Sequence, residues 1–324
     1  MRQLLLGREK TIYLRSRRRN KLGSFLILLG IGVTAVYFLY GTLILSREKP
    51  LISPVSGQMK AEMLGIADSN QVNLKNAVEN VLAGTKGTYA VAIKNLKTGE
   101  SYFANEHKSF EAGSLYKLWV MAAVLSKIRD GTLSEEQVLS RDISALNEVF
   151  GIDSEVAELT EGKIALSVND ALTQMITISH NYAALLLTEK IKLSTVANLL
   201  KEKGFGESKV GRGDDVPHTT PYDIFLYFEK LYKGELAQPE DTEKMLVLLK
   251  NQKLNGKLPK NLPKDTVIAH KTGEIGWFTH DAGIIYSDKG DYIIVAMSET
   301  DKPAAAEERI ARISESVYRY FTKF

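Results

Sequence analysis

The amino-acid sequence predicts an α/β (α+β) protein in which both ends of a folded domain build one sheet and a helical subdomain is inserted between them. Three observations predict this. Strand-like alternation occurs near residues 88–104 and returns only after about residue 265. The pattern between about residues 131 and 230 is helical throughout. A run of 25 uncharged residues near the N-terminus adds one transmembrane helix before the domain.

Composition narrows the chemistry before any motif is considered. The 324 residues are 44% hydrophobic, enough for a large core in one large domain or two closely packed ones. The chain has no cysteine, which excludes a disulfide framework, a thiolate metal site and a cysteine nucleophile. The five histidines show no metal-ligand spacing, so we expect neither a metal nor a cofactor. Any nucleophile must be serine, threonine, lysine or a carboxylate.

The positive charge of the chain is concentrated at its N-terminus. Residues 1–21 carry eight Lys or Arg and one Glu, a net +7, so the rest of the chain carries −4 of the overall +3. The basic residues lie beside an apolar segment and leave the main body without a basic surface for nucleic acid. No nucleic-acid partner is therefore expected.

The uncharged run, LGSFLILLGIGVTAVYFLYGTLILS at residues 22–46, is long enough to cross a hydrocarbon core of about 30 Å. Because its cationic flank stays inside, we expect a single-pass cell-membrane protein with a basic cytoplasmic tail at residues 1–21. Residues 47–70 contain two prolines and no periodicity, which predicts a stalk. A cleaved signal peptide is the alternative, but its apolar region would be shorter and a small-residue cleavage site would follow.

Residues 71–324 are predicted to form the folded domain, outside the membrane. QVNLKNAVENVLAG has helical spacing, YAVAIKNLKTGESYFANE predicts a hairpin, and SLYKLWVMAAVLSKIRDG predicts an apolar helix. The helical patterns at about residues 131–230 make up the inserted all-helical subdomain. The strands DTVIAHKTG, AGIIYSD and DYIIVAMSE complete the sheet, and an amphipathic helix at about residues 304–320 follows them.

Three short motifs each occur twice, so their context must separate chemistry from turns. The copies with a promising context are Ser114-Leu115-Tyr116-Lys117, Ser179-His180-Asn181 and Lys271-Thr272-Gly273. Their duplicates are Ser46-Arg47-Glu48-Lys49, Ser167-Val168-Asn169 and Lys97-Thr98-Gly99. Each motif alone is a weak signal.

The first motif needs a serine and a lysine on one helix face, with the lysine buried so that its amine can lose its proton. Ser114 opens a helix and Lys117 lies in the apolar run LYKLWVMAAVL, whereas Ser46 is expected at the membrane boundary and Lys49 in water. The Ser114 copy therefore has the environment that a lysine base needs. A helix cap at Ser114 with a partly buried surface lysine is the alternative.

The other two motifs separate on similar grounds. Ser167 precedes VNDALTQMI and fits a helix cap. Ser179–Asn181 instead interrupts two apolar helical stretches, where polar side chains are costly unless they are satisfied or functional, although a second cap before NYAALLLTE is the alternative. Lys97–Gly99 fits the turn of a hairpin, whereas Lys271–Gly273 ends a strand whose edge could lie alongside an acyl group.

With the three motifs in this order, the chain resembles the penicillin-recognising active-site serine enzymes, the superfamily of β-lactamases and penicillin-binding proteins. Within them it most resembles the class A β-lactamases. The similarity covers about residues 71–322 and includes GSLYKL, MITISHNYAALLLTEKI, HTTPYDI and HKTGEIGWFTHDAG. It implies a β-lactamase-like fold with an antiparallel sheet of about five strands, an acyl-serine mechanism and a monomeric catalytic domain.

The resemblance also implies the catalytic roles. Ser114 would be the nucleophile and Lys117 the base that activates it. Ser179 would relay a proton to the departing amine. The backbone N–H groups of Ser114 and Glu274 would form the oxyanion hole, where one donor is typically worth about 10² to 10³ in rate.

Four further residues are implied to bind the substrate. Asn181 would bind the amide of the substrate's side chain. Lys271 and Thr272 would bind its carboxylate, and Gly273 would let the substrate approach the strand closely.

The chain departs from the class A pattern at two places. His180 replaces the usual aspartate of the middle motif, which is more typical of penicillin-binding proteins. The stretch GFGESKVGRGDDVPHTTP lacks the glutamate and following asparagine that activate the deacylating water in class A enzymes. Its carboxylates, Glu207, Asp214 and Asp215, are interpreted as loop-stabilising or solvated acids, with Arg212 pairing one of the aspartates. Deacylation is therefore the step that the sequence leaves open.

Three functions follow from this. The first is a membrane-anchored class A β-lactamase-like hydrolase, which would confer antibiotic resistance. The second is a penicillin-binding-protein-like D-alanyl-D-alanine peptidase of peptidoglycan metabolism, and the third is a β-lactam-binding domain that deacylates slowly. All three would take a β-lactam or a D-alanyl peptide. His280 and Asp281 are not predicted to be a charge-relay pair, because neighbours on a strand point to opposite faces.

Overall fold

The computed structural model describes residues 74–211 and 215–322. The predicted basic tail, transmembrane segment and stalk lie outside these ranges. Among the described residues, no helix is both long enough and apolar enough to cross a membrane.

The secondary structure follows the predicted order from helix to hairpin to helices to strands. The helices are α1 (residues 74–82), α2 (Lys117–Arg129), α3 (Ile143–Val149), α4 (Val168–Thr177), α5 (Asn181–Ile191), α6 (Leu193–Lys203), α7 (Pro221–Tyr232), α8 (Pro239–Lys250) and α9 (Pro303–Thr322). The strands are β1 (Thr88–Asn95), β2 (Ser101–Ala104), β3 (Phe110–Glu111), β4 (Val138–Asp142), β5 (Lys163–Ser167), β6 (His218–Thr219), β7 (Ile268–Ile275), β8 (Phe278–Ile285) and β9 (Tyr292–Glu299). A 3₁₀ turn at Gly113–Tyr116 leads directly into α2.

Five strands form the main sheet in the order β2-β1-β9-β8-β7, and every neighbouring pair is antiparallel. The sheet joins the two ends of the domain through the pairing of β1 with β9, which confirms the prediction. Strand β7 lies at one edge. Its backbone therefore has one side that no sheet partner covers, and the 3₁₀ turn before α2 packs there.

Helices cover both faces of this sheet. On one face, α1 and α9 pack on a core that includes Ile93, Ile294 and Val317, all fully buried. Each such side chain contributes about 1.5–3 kcal/mol relative to exposure. On the other face, α7 packs on β1, β8 and β9, and its Phe225 ring meets the Phe103 ring edge-on with centroids 5.2 Å apart.

Helix α2 is buried along most of its length. Every residue from Lys117 to Leu125 is buried, and the helix contacts α4, α5, α6 and α8. A helix that is apolar all round must lie in the interior. This placement carries Lys117, the one charged residue of that run, into the dry core.

The prediction of an all-helical subdomain at residues 131–230 is wrong in two respects. Strands β4 and β5 form a two-stranded antiparallel sheet within it, and α7 belongs to the layer that covers the main sheet. Only Leu139 of the five β4 residues is buried, so the sequence shows no alternation there. Arg141 of β4 instead pairs with Glu189 of α5 through two hydrogen bonds of 2.6 and 2.9 Å. The ribbon is therefore fixed by contacts distant in sequence.

Candidate active site

The 3₁₀ turn holds Ser114 beside the uncovered edge of β7. Gly113 has φ +49°, and a Cβ atom on it would lie 2.8 Å from the backbone nitrogen of Glu274. Only glycine fits both the backbone angle and the space. The residue before Ser114 thus packs against the backbone amide of Glu274, the second predicted donor of the oxyanion hole.

Gly273 has the same kind of neighbour. A Cβ atom there would lie 2.9 Å from the carbonyl oxygen of Ala112 and 3.0 Å from Cγ of Leu115. The sequence assigned Gly273 to the approach of a substrate. The structure gives a different reason for the missing side chain, because it is the serine-bearing segment that approaches. Strand β7 also continues beyond this glycine to Ile275 instead of ending there.

Lys117 is fully buried at the start of α2, and its ammonium group faces the second motif. Its Nζ donates to Ser179 O at 2.8 Å, to Ser179 Oγ at 3.2 Å and to Asn181 Oδ1 at 2.7 Å. Three acceptors match the three N–H donors of a protonated lysine. None of the hydrogen bonds described for this amine goes to Ser114. A neutral Lys117 would lose one donor and gain a lone pair that could accept from the Ser114 hydroxyl.

The pKa of Lys117 lies where the amine can change between its protonated and neutral forms near neutral pH. Burial lowers its pKa to about 7, and the carboxylate of Glu158 partly offsets that shift. Burial disfavours the charged amine because the interior solvates it poorly. Near neutral pH, a substantial fraction of the molecules therefore carry a neutral Lys117, as a general base requires.

Lys271 approaches the same serine from β7. It is fully buried, and its Nζ donates to Ser179 Oγ at 3.0 Å and to Thr272 O at 2.8 Å. Burial, and after it the nearby positive charge of Lys117, lowers the pKa of Lys271 well below its usual range. When protonated, the amine has one N–H left for a substrate carboxylate. Thr272, the other predicted carboxylate ligand, is only 2% exposed.

Ser179 thus lies between the two buried lysines. Its hydroxyl accepts from both amines, so its own proton is free to be donated to a further group. Its backbone has φ +56°, a left-handed conformation that is costly for a residue other than glycine. Such strain is often found where the surroundings must hold a side chain in one orientation.

His180 confirms the cap interpretation of this motif, and the cap does not exclude the predicted site role of its two neighbours. It is the N-cap of α5, and its Nδ1 accepts from the backbone N–H of Ala183 at 3.1 Å. Burial lowers the pKa of His180, which favours the neutral ring that such an acceptor needs. An aspartate at this position could serve as the same cap. The duplicate motif is a cap alone, since Ser167 Oγ accepts from the N–H of Asp170 at 3.0 Å.

Buried polar residues of β7 and β8 form hydrogen bonds near the strand that carries Lys271. His270 Nδ1 and Asp281 Oδ1 lie 2.9 Å apart, and Asp281 Oδ2 accepts from the N–H of Leu258 at 3.0 Å. His280 instead bonds the carbonyl oxygen of Glu111 through Nε2 at 2.8 Å, and burial lowers its pKa to about 4. The expectation that His280 and Asp281 do not form a pair is confirmed, because each has a different partner.

The described carboxylates of the loop before α7, Glu207 and Asp215, lie near residues of that loop and His107. Glu207 accepts from Thr220 Oγ1 at 2.7 Å and lies 2.9 Å from His107 Nδ1, which confirms its loop-stabilising interpretation. Asp215 is exposed and lies 3.6 Å from His218 Nε2. The predicted partners Arg212 and Asp214 lie outside the described residues.

Glu158 is a site residue that the sequence did not indicate. Its Oε2 accepts from Asn181 Nδ2 at 3.1 Å, and its charge acts on both Lys117 and His180. It stands in the irregular segment between α3 and β5, where no motif or periodicity marks it. Within the described ranges, no group of three or more His, Cys, Asp or Glu could hold a metal ion.

Comparison with known proteins shows which family the chain resembles. The chain is 24% identical over 272 residues to the beta-lactamase VEB-1 of Pseudomonas aeruginosa, covering 77% of this chain and 90% of that protein. A beta-lactamase from Sphaerobacter thermophilus superposes with a TM-score of 0.69 at 22% identity, covering 78% of this chain and 98% of the other. PBP-A superposes with a TM-score of 0.68 at 22% identity, over 78% and 97% of the two chains.

A mutant of PBP-A, with the same TM-score and identity, was solved as an acyl-enzyme complex with penicillin G. The model of the beta-lactamase enzyme family matches residues 73–321, which is well over half of the chain. This confirms the resemblance derived from the three motifs. The protein belongs to the beta-lactamase enzyme family and is a serine hydrolase of the β-lactamase type.

Proposed function

We propose that this protein opens the amide bond of β-lactams through an acyl intermediate on Ser114, outside the cell membrane to which residues 22–46 anchor it. The observation that carries the proposal is the position of Ser179 Oγ between the Nζ atoms of Lys117 and Lys271, at 3.2 and 3.0 Å. A hydroxyl that accepts from two buried amines is suited to passing a proton to a leaving group.

The proposed reaction has the following steps. Neutral Lys117 takes the proton of the Ser114 hydroxyl as its oxygen bonds to the carbonyl carbon. The backbone N–H groups of Ser114 and Glu274 stabilise the negative charge that develops on the carbonyl oxygen. The carbon–nitrogen bond then breaks, and the nitrogen takes the proton of Ser179. Ser179 regains a proton from the ammonium group of Lys117, which becomes neutral again.

Membrane anchoring is the second part of the proposal. Residues 22–46 are uncharged, and eight Lys or Arg at residues 1–21 favour a cytoplasmic N-terminus. The catalytic domain would then lie where β-lactams arrive and where cell-wall peptides are found. Labelling a cysteine introduced at Lys10 or at Lys289 with a membrane-impermeant thiol reagent in intact cells tests this. Labelling at the second position alone is expected, and labelling at the first position would contradict it.

A D-alanyl-D-alanine peptidase is the second candidate, and one observation favours it. The hydrogen bonds described for Glu207 join it to Thr220 and His107 in the loop, and none of those described joins it to Ser114 or Lys117, so no deacylating base is placed by them. An acyl-enzyme formed with a penicillin would then persist, as expected of a penicillin-binding protein or of a slowly deacylating domain. The similarity to PBP-A supports the same candidate.

Intact-mass measurement of the full chain in detergent with benzylpenicillin tests the shared mechanism. We expect an adduct of one penicillin that Ser114→Ala abolishes and that Ser46→Ala, at the duplicate motif, leaves in place. Rapid loss of the adduct with product release supports the β-lactamase. A lasting adduct together with cleavage of a D-alanyl-D-alanine peptide supports the peptidase. No adduct, or an adduct that survives Ser114→Ala, would overturn the acyl-serine mechanism.

A further inference from the structure

A lysine segment, residues 250–264, runs from the end of α8 towards β7. Its sequence, KNQKLNGKLPKNLPK, contains five lysines and no aspartate or glutamate, and Asp265 follows it. Residues 247–267 therefore carry a net +4. Because the chain after residue 21 carries −4, its other residues carry −8. The lysine segment is thus a basic surface on an acidic body, which the average charge conceals.

Two of the five lysines have ion-pair partners and three do not. Lys257 is buried and pairs with a glutamate of β7, and Lys260 pairs with a glutamate of α9. Within residues 74–211 and 215–322, no ion pair involves Lys250, Lys253 or Lys264, and all three are exposed. Their ammonium groups keep a positive charge that is available to an anionic partner.

Apolar side chains are exposed around the same lysines. Eight large apolar side chains are exposed among the described residues, and half of them border the lysine segment. These four are each 41–48% exposed: Ile178, Val247, Leu254 and Val267. Single exposed apolar residues are ordinary on a protein surface. Several of them beside cations are the combination by which a protein lies at a membrane interface.

Short contacts bring these residues to one surface. The N–H of Lys253 donates, at 2.8 Å, to the carbonyl oxygen of the residue before Ile178. The Lys250 Nζ lies 4.4 Å from the centroid of the Tyr286 ring, and the N–H of that tyrosine donates to the carbonyl oxygen of Val267 at 3.0 Å. The cations and the apolar side chains therefore form one continuous patch around the end of α8.

The patch adjoins the place where the preceding chain enters the domain. Leu258 and Leu262 of the lysine segment belong to the same buried core cluster as Leu74 and Val78 of α1. In the function proposed above, the chain before α1 leads to the membrane anchor. Since that chain joins the domain beside the lysine segment, this surface can reach the lipid headgroups with little extension of the tether.

We propose that this patch docks the domain on the anionic phospholipid headgroups of the membrane that anchors it. This rests on the anchoring proposed above. The ammonium groups would pair with headgroup phosphates while the apolar side chains enter the boundary with the acyl chains. Each lysine near an anionic lipid surface shifts the docking equilibrium about fivefold, and salt weakens the attraction. Because Lys253 is bonded to Thr177, two residues before Ser179, docking fixes how the active site faces the membrane.

Fluorescence of the full chain in lipid nanodiscs tests the docking, and the absence of cysteine allows a single label. Leu254→Cys carries an NBD fluorophore, in discs of phosphatidylcholine alone or of equal parts phosphatidylcholine and phosphatidylglycerol, each with a spin-labelled lipid as quencher. We expect quenching in the anionic discs only. Lys253→Gln with Lys264→Gln should weaken docking about 20- to 30-fold. The same label at Val138→Cys, an exposed apolar residue of β4, should be quenched in neither disc.

The matched charge control is Lys163→Gln with Lys201→Gln, at two other exposed lysines, which should leave the quenching unchanged. Equal quenching in both lipids, or quenching that survives the loss of Lys253 and Lys264, would overturn the proposal. Protection of the label by purified peptidoglycan, with no quenching in anionic discs, would assign the patch to the cell wall and also overturn it. A chain that enters the discs without quenching overturns the docking alone, whereas a chain that does not enter them overturns the anchor.

Discussion

The tetrapeptide KTGE occurs at residues 97–100 and again at residues 271–274, and the two copies have different structures. In the first copy, the Asn95 side chain accepts from the backbone N–H groups of Lys97 and Thr98, at 2.9 Å each. Gly99 has φ +79°, and Lys97 is exposed. The first copy is a hairpin turn between β1 and β2, as predicted.

The second copy is part of the edge strand β7. Lys271 is fully buried and bonds Ser179, and Gly273 packs against the segment that carries Ser114. The two copies share every side chain, so the difference lies in what surrounds them. Burial lowers the pKa of Lys271, and at the edge of the sheet Gly273 packs against the carbonyl oxygen of Ala112. The same four residues therefore form a turn in one place and one wall of an active site in the other.

The largest expected difference between the copies concerns their lysines. Lys271→Ala should lower the rate of acylation by benzylpenicillin about 10²- to 10³-fold, because it removes the amine that donates to Ser179 and that is proposed to bind the substrate carboxylate. Lys97→Ala, in the exposed turn, should change it less than about twofold. Intact-mass kinetics on both variants, with circular dichroism to confirm folding, provide the measurement. Equal losses in the two variants would show that the copies are not functionally distinct.

The second-largest expected difference is between alanine substitutions at the two glycines, Gly273 and Gly99. In Gly273→Ala the new methyl group meets the Ala112 carbonyl at 2.9 Å, which must displace the serine-bearing turn. A misplacement of about 1 Å can cost about 10²-fold, so we expect a loss of about 10- to 100-fold in acylation rate. The variant should otherwise remain folded by circular dichroism.

Gly99→Ala is the matched control for this change. No atom lies within 4 Å of the added methyl group, but φ +79° is unfavourable for alanine by about 1–2 kcal/mol. We expect urea denaturation to show that loss of stability, with an unchanged acylation rate for the folded protein. A Gly273→Ala variant with full activity would mean that the Ala112 contact does not position Ser114.

The difference between the copies also explains how much of the site could be predicted. The burial of Lys117 and the capping role of Ser167 could be predicted from neighbours within a few residues. Lys117 lies in an apolar helix that buries it, and Ser167 precedes a helix that it caps. Gly273 and Ala112 are far apart in sequence. The sequence therefore indicated that a close approach requires glycine at position 273, but it did not indicate that Ala112 is the group that approaches. Glu158 meets Asn181 in a segment where Leu159 is hydrogen-bonded to Tyr182 and Asn147, residues distant in sequence. No local pattern encodes that contact.

The fold shows the same limit. The sequence predicted that both ends of the domain build one sheet, because their strands have long apolar patterns such as YIIVAMSE, but it did not predict the order of the strands. Strands β4 and β5 were missed because a half-exposed two-stranded ribbon with one buried residue in β4 has no such pattern. Their pairing depends on α5, through contacts such as that of Arg141 with Glu189. The local sequence predicts strands and helices whose own apolar pattern marks them as buried. It misses elements that depend on tertiary contacts for their stability.

The pH dependence of acylation should follow Lys117. With a pKa of about 7, the neutral amine is the active form, so the rate should fall about tenfold per pH unit below pH 7 and level off above it. The sign follows because protonation removes the base. Lys97 is exposed, and Lys97→Ala should leave the profile unchanged. Measuring acylation rates between about pH 5 and 9 checks this, and a rate independent of pH across that range would contradict Lys117 as the base.

The smallest expected effect concerns the support of the first copy. Asn95 is 3% exposed, and Asn95→Ala removes the acceptor of two backbone N–H groups, which should lower the free energy of unfolding by about 1–2 kcal/mol. Urea denaturation measures this loss, and the acylation rate of the folded protein should not change. An acylation rate that fell with the stability would mean that the hairpin is coupled to the active site through β1 and β9. The first copy would then have a part in catalysis that its exposed position does not suggest.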